Sequence, residues 1–198
     1  MSKTVQAILL GVAVALVVSF GVGVLMGAVG DPNPARGVAP GLFLGLFTAY
    51  IFGNLAGNRK IANASGAEQS EAVRREPPPG KGLVFLYREG FVAKLAGLNL
   101  AIDGKPVGQI KSPAFTCVVV QPGAHNVGAA FGGLAGAQSR GEDCRIDVAA
   151  GQSVAVRMGV RMGMVQGSVD MTVETDMAAV RGKLAKMPLT PPDVAELA

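Results

Sequence analysis

Tryptophan is absent from this chain, histidine occurs once and cysteine twice. One histidine excludes a paired-imidazole metal site, and Cys117 and Cys144 lie too far apart for a recognised zinc-ligand spacing. Aromatic residues make up 5% of the chain and no basic run is interleaved with them, so the net charge of +4 carries no nucleic-acid-binding signature. Cysteine is also missing from the first 116 residues, which leaves a lipid-modified N-terminus without an acceptor. Charge is lacking in two long stretches, between Lys3 and Asp31 and between Arg36 and Arg59. At about 1.5 Å per residue each is long enough to cross a hydrocarbon core of about 30 Å as a helix.

Small residues are abundant in both stretches, and they recur every fourth position. The first carries Gly11, Ala15, Ser19, Gly23 and Gly27; the second carries Gly41, Gly45, Ala49, Gly53 and Gly57. In water an interior glycine costs a helix about 1 kcal/mol, whereas in lipid a row of small residues lets two backbones approach and gain dispersion contacts. Two matching ladders therefore predict a transmembrane hairpin packed along them, within one chain or between copies, with a right-handed crossing because a spacing of four drifts around a 3.6-residue turn. A cleaved secretory signal ending at Ala28-Val29-Gly30 is the other reading of the first stretch. Its apolar run exceeds the usual signal core of about 7–15 residues. Lys3 precedes the hairpin, Asp31 offsets Arg36 in its loop, and Arg59, Lys60, Arg74 and Arg75 follow it. The positive-inside bias then puts both ends in the cytoplasm.

The remainder divides into three. Residues 61–80, small and polar and ending in Pro77-Pro78-Pro79, read as a spacer, with a helical extension stopped by Pro77. From Lys81 to 175 the apolar period changes to two. Strands are expected over 82–88, 98–103, 106–111, 114–120 and 124–131, in the pair around Ala150-Gly151, and over 164–175, with 132–143 a flexible loop. Asp103-Gly104 and Gln121-Pro122-Gly123 are the tight turns. Seven or so short strands at this spacing describe a β-sandwich. In the final segment, 176–198, Met177, Val180, Leu184 and Met187 fall at helical spacing before an end rich in proline. The expectation is a short amphipathic helix that covers one end of the sandwich or rests on the membrane surface, followed by an unstructured tail.

Four stretches in order, "LVFLYR", "LNLAIDGKPVGQI", "VVVQPGAHNV" and "VAAGQSVAVRMG", resemble an uncharacterised family of small bacterial envelope domains, related in style to PEGA-type sandwiches. The resemblance covers about residues 82–160. It implies a β-sandwich with no established reaction, and in the family's Pro-Gly-x-His pattern His125 would tie down a turn. The chain departs from the PEGA pattern in lacking a Pro-Glu-Gly-Ala entry, and from many relatives in having two apolar helices where they carry a lipoprotein signal. Such lipoproteins lie outside the cytoplasm, so resemblance and charge bias disagree about the compartment.

Candidates for chemistry are few. His125 reads as structural, with Asp103, Gly104, Pro122 and Gly123 as the turn residues around it; Glu142, Asp143, Asp147, Asp170 and Glu174 read as solvated faces. Tyr87-Arg88 with Arg157, Arg161 and the nearby Met158, Met162 and Met164 describes either an anion or peptide site or a half-exposed strand. If Val118 and Val120 face the core, alternation turns Cys117 away from it, while Cys144 points inward with Ile146 and Val148; no disulfide is expected, unless a bulge reverses one strand. No catalytic residue, cofactor or metal ligand is expected. The reading is a membrane-anchored, non-enzymatic β-sandwich binding or scaffolding module of a bacterial inner membrane, multi-pass. Its partners would be the lipid bilayer and another membrane or envelope protein, its soluble domain cytoplasmic by charge and periplasmic as the alternative. The competing functions are a subunit of an oligomeric complex or pore assembled through the ladders, and an envelope hydrolase with a catalytic group other than His125.

Overall fold

The computed structural model describes every residue except Asp31, Pro32, Pro34, Met164, Val165 and Ala198, so the expectations on Asp31 and Met164 lie outside the described residues. Two units are resolved, Met1–Gly57 with Gly133–Ala135, and Asn58–Gly132 with Gly136–Ala198.

The first unit is built on helices α1 (Lys3–Ala28) and α2 (Ala35–Leu55). The Ser2 hydroxyl caps α1 by accepting from the Val5 amide, as short hydroxyl residues do at a helix start. α2 begins at Ala35 and incorporates Pro40, so the ordered helix starts upstream of the first ladder glycine at Gly41. Both are long and apolar enough to cross a membrane. Their large side chains point away from the protein: Phe20 is 76% exposed and Leu46 71%.

Among its described residues the second unit holds nine strands in two mostly antiparallel sheets, rather than the seven or so expected. Sheet one runs β4 (Ala114–Val120), β1 (Gly82–Arg88), β8 (Ser153–Arg161), β9 (Gly167–Glu174), β6 (Ser139–Arg140). Sheet two runs β3 (Lys105–Ile110), β2 (Leu98–Ile102), β5 (Gly123–Phe131), β7 (Glu142–Val148). β1 pairs antiparallel with β4 and parallel with β8. Every residue of β1 and β4 is buried, the pattern of strands covered on both faces. Leu83, Phe85, Tyr87, Phe115, Cys117, Val119 and Ala155 form one core with Ala72 and Val73 of α3 (Gly66–Arg74) and Val180 and Leu184 of α5 (Met177–Leu184). Alternation sends Val84, Leu86, Val118, Val154 and Val156 to the other face, toward sheet two. A Cβ on Gly82, in register with that face, would collide with the Val148 side chain of sheet two.

Residues 61–80 form a strap that contains the expected helical extension as α3, started by a reciprocal Ser65/Glu68 capping box and fixed to sheet one by burial of Ala72 and Val73. Two other segments differ from expectation. The loop expected over 132–143 contains the short helix α4 (Gly133–Ala137) and β6. The end expected to be unstructured instead pairs in parallel with β4 at Phe115↔Leu189 and Val119↔Glu196. Between those bridges Asp193 donates its amide to Val107 O of β3 at 2.9 Å. The tail thus covers β4 and β3, the edge strands of the two sheets on one side, where bare backbone donors and acceptors would otherwise invite pairing with another chain.

Candidate functional site

The turn residues meet at one end of the sheets. Asp103 and Gly104 both have positive φ, 52° and 75°, the type I′ geometry of a two-residue hairpin, which glycine and aspartate tolerate best. Asp103 is thereby turned toward β5: Oδ1 accepts from the Asn126 amide at 2.8 Å and Oδ2 lies 2.7 Å from His125 Nδ1. His125 Nε2 lies 2.7 Å from the Gln121 carbonyl oxygen. The imidazole therefore clasps the β2–β3 hairpin to the turn entering β5. Burial works against its charge, but Asp103 and the Gln121 carbonyl prevail and raise its pKa; the Asn126 amide and His125 hold Asp103 below the usual carboxylate value. Both nitrogens are occupied, so this histidine has none left to present to a substrate.

A second polar group lies where β1, β8, β9 and α5 meet. The buried Tyr87 hydroxyl donates to Glu174 Oε2 at 2.7 Å and accepts from Lys183 Nζ at 3.2 Å. Lys183 also sits over the Tyr87 ring, 5.7 Å from its centre. Arg157 reaches Glu174 at 3.6 Å and Glu89 at 3.4 Å, and Arg161 reaches Asp170 at 3.1 Å. Burial and then the bond to Glu174 push the Tyr87 pKa up to about 12, which removes the phenolate as a base near neutrality. Arginines 157 and 161 already have carboxylate partners, so the arrangement is a set of ion pairs rather than a vacant anion cradle.

Arg88 closes β1 and is fully buried. Its guanidinium donates to the carbonyls of Ala96 at 2.6 Å, Ala93 at 2.8 Å and Val92 at 3.2 Å, and lies 5.1 Å from the centre of the Phe131 ring. Burial lowers its pKa to about 10, still far above neutrality. One charged side chain at the end of an apolar strand thus braces the loop of residues 89–97. The sequence signal was visible: an arginine ends a run in which every residue is otherwise apolar or aromatic.

The thiols stand on strands of different sheets, Cys117 buried on β4 and Cys144 partly buried on β7, and both are free. Burial pushes both thiol pKa values up, away from the reactive thiolate. Among the described residues no group of three or more His, Cys, Asp and Glu side chains is placed to hold a metal ion.

In the helical unit, a Cβ added to Gly11 would meet Gly45 O at 2.6 Å and Ala49 Cβ at 2.7 Å; one on Gly45 would meet Ala15 Cβ at 2.6 Å. A Cβ on Gly41 would collide with the Ser19 hydroxyl. Gly37, outside the spacing read from sequence, continues the seam: its Cβ would lie 3.0 Å from Gly23 N. Other ladder positions diverge from it. A Cβ on Gly23 or Gly27 would face open space, although the backbone of Gly23 packs against Gly37; Gly53 is buried against Leu134 of the same unit, and Gly57 lies beyond the helix.

Compared with known proteins, the chain matches no family model and no curated sequence.

Proposed function

We propose that the protein is a membrane-anchored, non-enzymatic β-sandwich module that binds or scaffolds another protein at a bacterial inner membrane. The observation that carries this reading is the surface of the helical pair: small residues are spent on the seam, while Phe20, Leu46, Val17 and Phe43, each more than two-thirds exposed, face outward. Water penalises such a surface and lipid does not. The non-enzymatic part is supported by the polar side chains of the sandwich. His125, Tyr87, Glu174, Arg88 and Arg157 are each engaged with neighbours of the same unit, which leaves no free acid, base or nucleophile among them.

Anchoring is tested on membranes from cells expressing the full chain: it should stay in the pellet after an alkaline carbonate wash and be released by detergent. Release by carbonate alone would end the reading. Scaffolding is tested by chemical cross-linking in those membranes followed by mass spectrometry, which should recover heterotypic cross-links from sandwich lysines to one recurrent protein. Cross-links confined to copies of this chain would favour the oligomeric alternative.

A further inference from the structure

The end of the sandwich opposite the His125 clasp is set by strand direction. β1 and its parallel neighbour β8 finish there at Arg88 and Arg161, and antiparallel β4 begins there at Ala114 opposite Arg88. The segments at that end are residues 89–97, 111–113, 132 with 136–141, and 162–163. Ser112 ties two of them together, its hydroxyl donating to Gly90 O at 2.6 Å and its amide to Lys94 O at 3.3 Å. Asn58 ties the start of the strap to the same loop, donating to Leu95 O at 2.8 Å and accepting from the Gly97 amide at 2.6 Å.

Three large apolar side chains stand out into solvent on these segments: Phe91 is 85% exposed, Met162 81% and Leu95 65%. They are held outward by construction, because Arg88 grips the carbonyls of Val92, Ala93 and Ala96 and so fixes the backbone that carries Phe91 and Leu95. The loop that carries Phe91 and Leu95 and its neighbour 111–113 are basic beyond Glu89: residues 90–97 and 111–113 include Lys94 and Lys111 but no acid, Lys60 is exposed two residues from Asn58, and exposed Arg140 of β6 stands against exposed Glu142 of β7. Nearby carboxylates are engaged, Glu89 with Arg157, Asp170 with Arg161 and Asp193 with Arg59. At the other end the turns Asp103-Gly104, Gln121-Pro122 and Ala150-Gly151 carry no large apolar side chain.

We infer that this end docks on an anionic lipid surface, Phe91, Leu95 and Met162 entering the interfacial layer while Lys60, Lys94 and Lys111 meet phosphate headgroups. The occupant is fixed by the tether: Leu55 closes α2 and Asn58 is clamped to loop 89–97, and three residues of chain reach at most about 11 Å. If α2 spans the bilayer, the lipid surface is the partner available within that reach, and apolar tips ringed by lysines are what such a surface selects. The inference rests on the membrane-spanning reading above.

The absence of tryptophan makes a single introduced one a clean reporter. Full-length Phe91→Trp, Leu46→Trp and Ala150→Trp would be reconstituted in phosphatidylcholine vesicles with and without phosphatidylglycerol, using lipids brominated either near the glycerol or at mid-chain. The spanning reading requires quenching at position 46 by mid-chain bromine in both vesicle types. Docking requires quenching at position 91 by shallow bromine with phosphatidylglycerol present, little at position 150, and release by high salt. Each of Lys60→Gln, Lys94→Gln and Lys111→Gln should lower the docking equilibrium about fivefold, since a basic residue near an anionic surface contributes about 1 kcal/mol. Quenching at 46 but not 91 overturns docking and leaves the anchor standing; quenching at neither overturns both. Protection of position 91 from aqueous acrylamide without lipid quenching would mean a protein contact there, and would also overturn the inference.

Discussion

His125 has an oxygen atom 2.7 Å from each ring nitrogen, the Asp103 carboxylate on one side and the Gln121 carbonyl on the other. A neutral imidazole donates from one nitrogen only, so this geometry is satisfied by the imidazolium. Its folded-state pKa is raised, against the cost of burial, by Asp103 and Gln121, while Asp103 is lowered by the Asn126 amide and His125. For the histidine, the stabilisation is fully present below its unfolded value of about 6.5 and is lost as pH rises through the higher folded value. For the aspartate, it is present above the unfolded value of about 3.9 and is lost as pH falls through the lower folded one. The clasp is strongest between those two unfolded values. Because His125 is the only histidine, ¹⁵N-histidine labelling of the full chain in detergent gives one ring titration. It should lie above the ordinary histidine value, and Asp103→Asn should bring it down and flatten the pH dependence of urea stability over the histidine range. An unchanged titration in Asp103→Asn would show that the carboxylate does not hold the ring.

At the scale of elements, the helix seam and the C-terminal tail make separate predictions. Gly45 has no room for a side chain, since its Cβ would lie 2.6 Å from both Ala15 Cβ and Gly11 O, whereas Leu46 is 71% exposed. Gly45→Leu should therefore separate the helices while Leu46→Ala leaves them packed, measured as the thermal stability of the helical pair in detergent. Equal losses from the two variants would count against the seam. Ending the chain at Met187 removes the backbone bonds from residues 188–197 to Phe115, Val119 and Val107 and the buried side chains of Leu189 and Leu197. Burying two leucines contributes roughly 3–6 kcal/mol, and an uncovered edge strand seeks another chain. The truncated protein should melt well below the full one and aggregate on refolding, as followed by light scattering. The strands were legible because β-branched residues, alternation and Asp-Gly or Pro-Gly turns are local signals. The docking of the strap and the tail was not, because Ala72, Val73, Leu189 and Leu197 are sparse apolar residues among prolines and charges, and what orders them is distant in sequence: the face of sheet one for the strap, the edge strand β4 for the tail. Gly37 escaped the ladder for a similar reason: its contact with Ser19 and Gly23 depends on where α2 begins, and the run was read from Gly41.

For the whole molecule, the proposed membrane anchor raises the question of which side of the bilayer the sandwich would occupy, and two physical arguments bear on it. Arg59 and Lys60 follow α2 within five residues of Leu55, so their placement is decided as the helix inserts, and basic residues at that position favour the cytoplasmic face. The thiols add an independent constraint. Cys117 lies in the core between sheet one and helices α3 and α5, whereas Cys144 belongs to β7 of sheet two. Bridging them would require Cα atoms within about 7 Å across separate sheets, so the fold does not draw on an oxidising compartment for its stability. The prediction is a cytoplasmic sandwich with both thiols reduced. A fluorescent protein fused after residue 198 should mature and fluoresce, alkaline phosphatase fused at the same point should remain inactive, and alkylation of lysates under denaturing conditions should label both cysteines. Active phosphatase and a dark fluorescent fusion would place the sandwich in the periplasm. Recovery of a Cys117–Cys144 peptide would show in addition that the two sheets pack differently from the arrangement described.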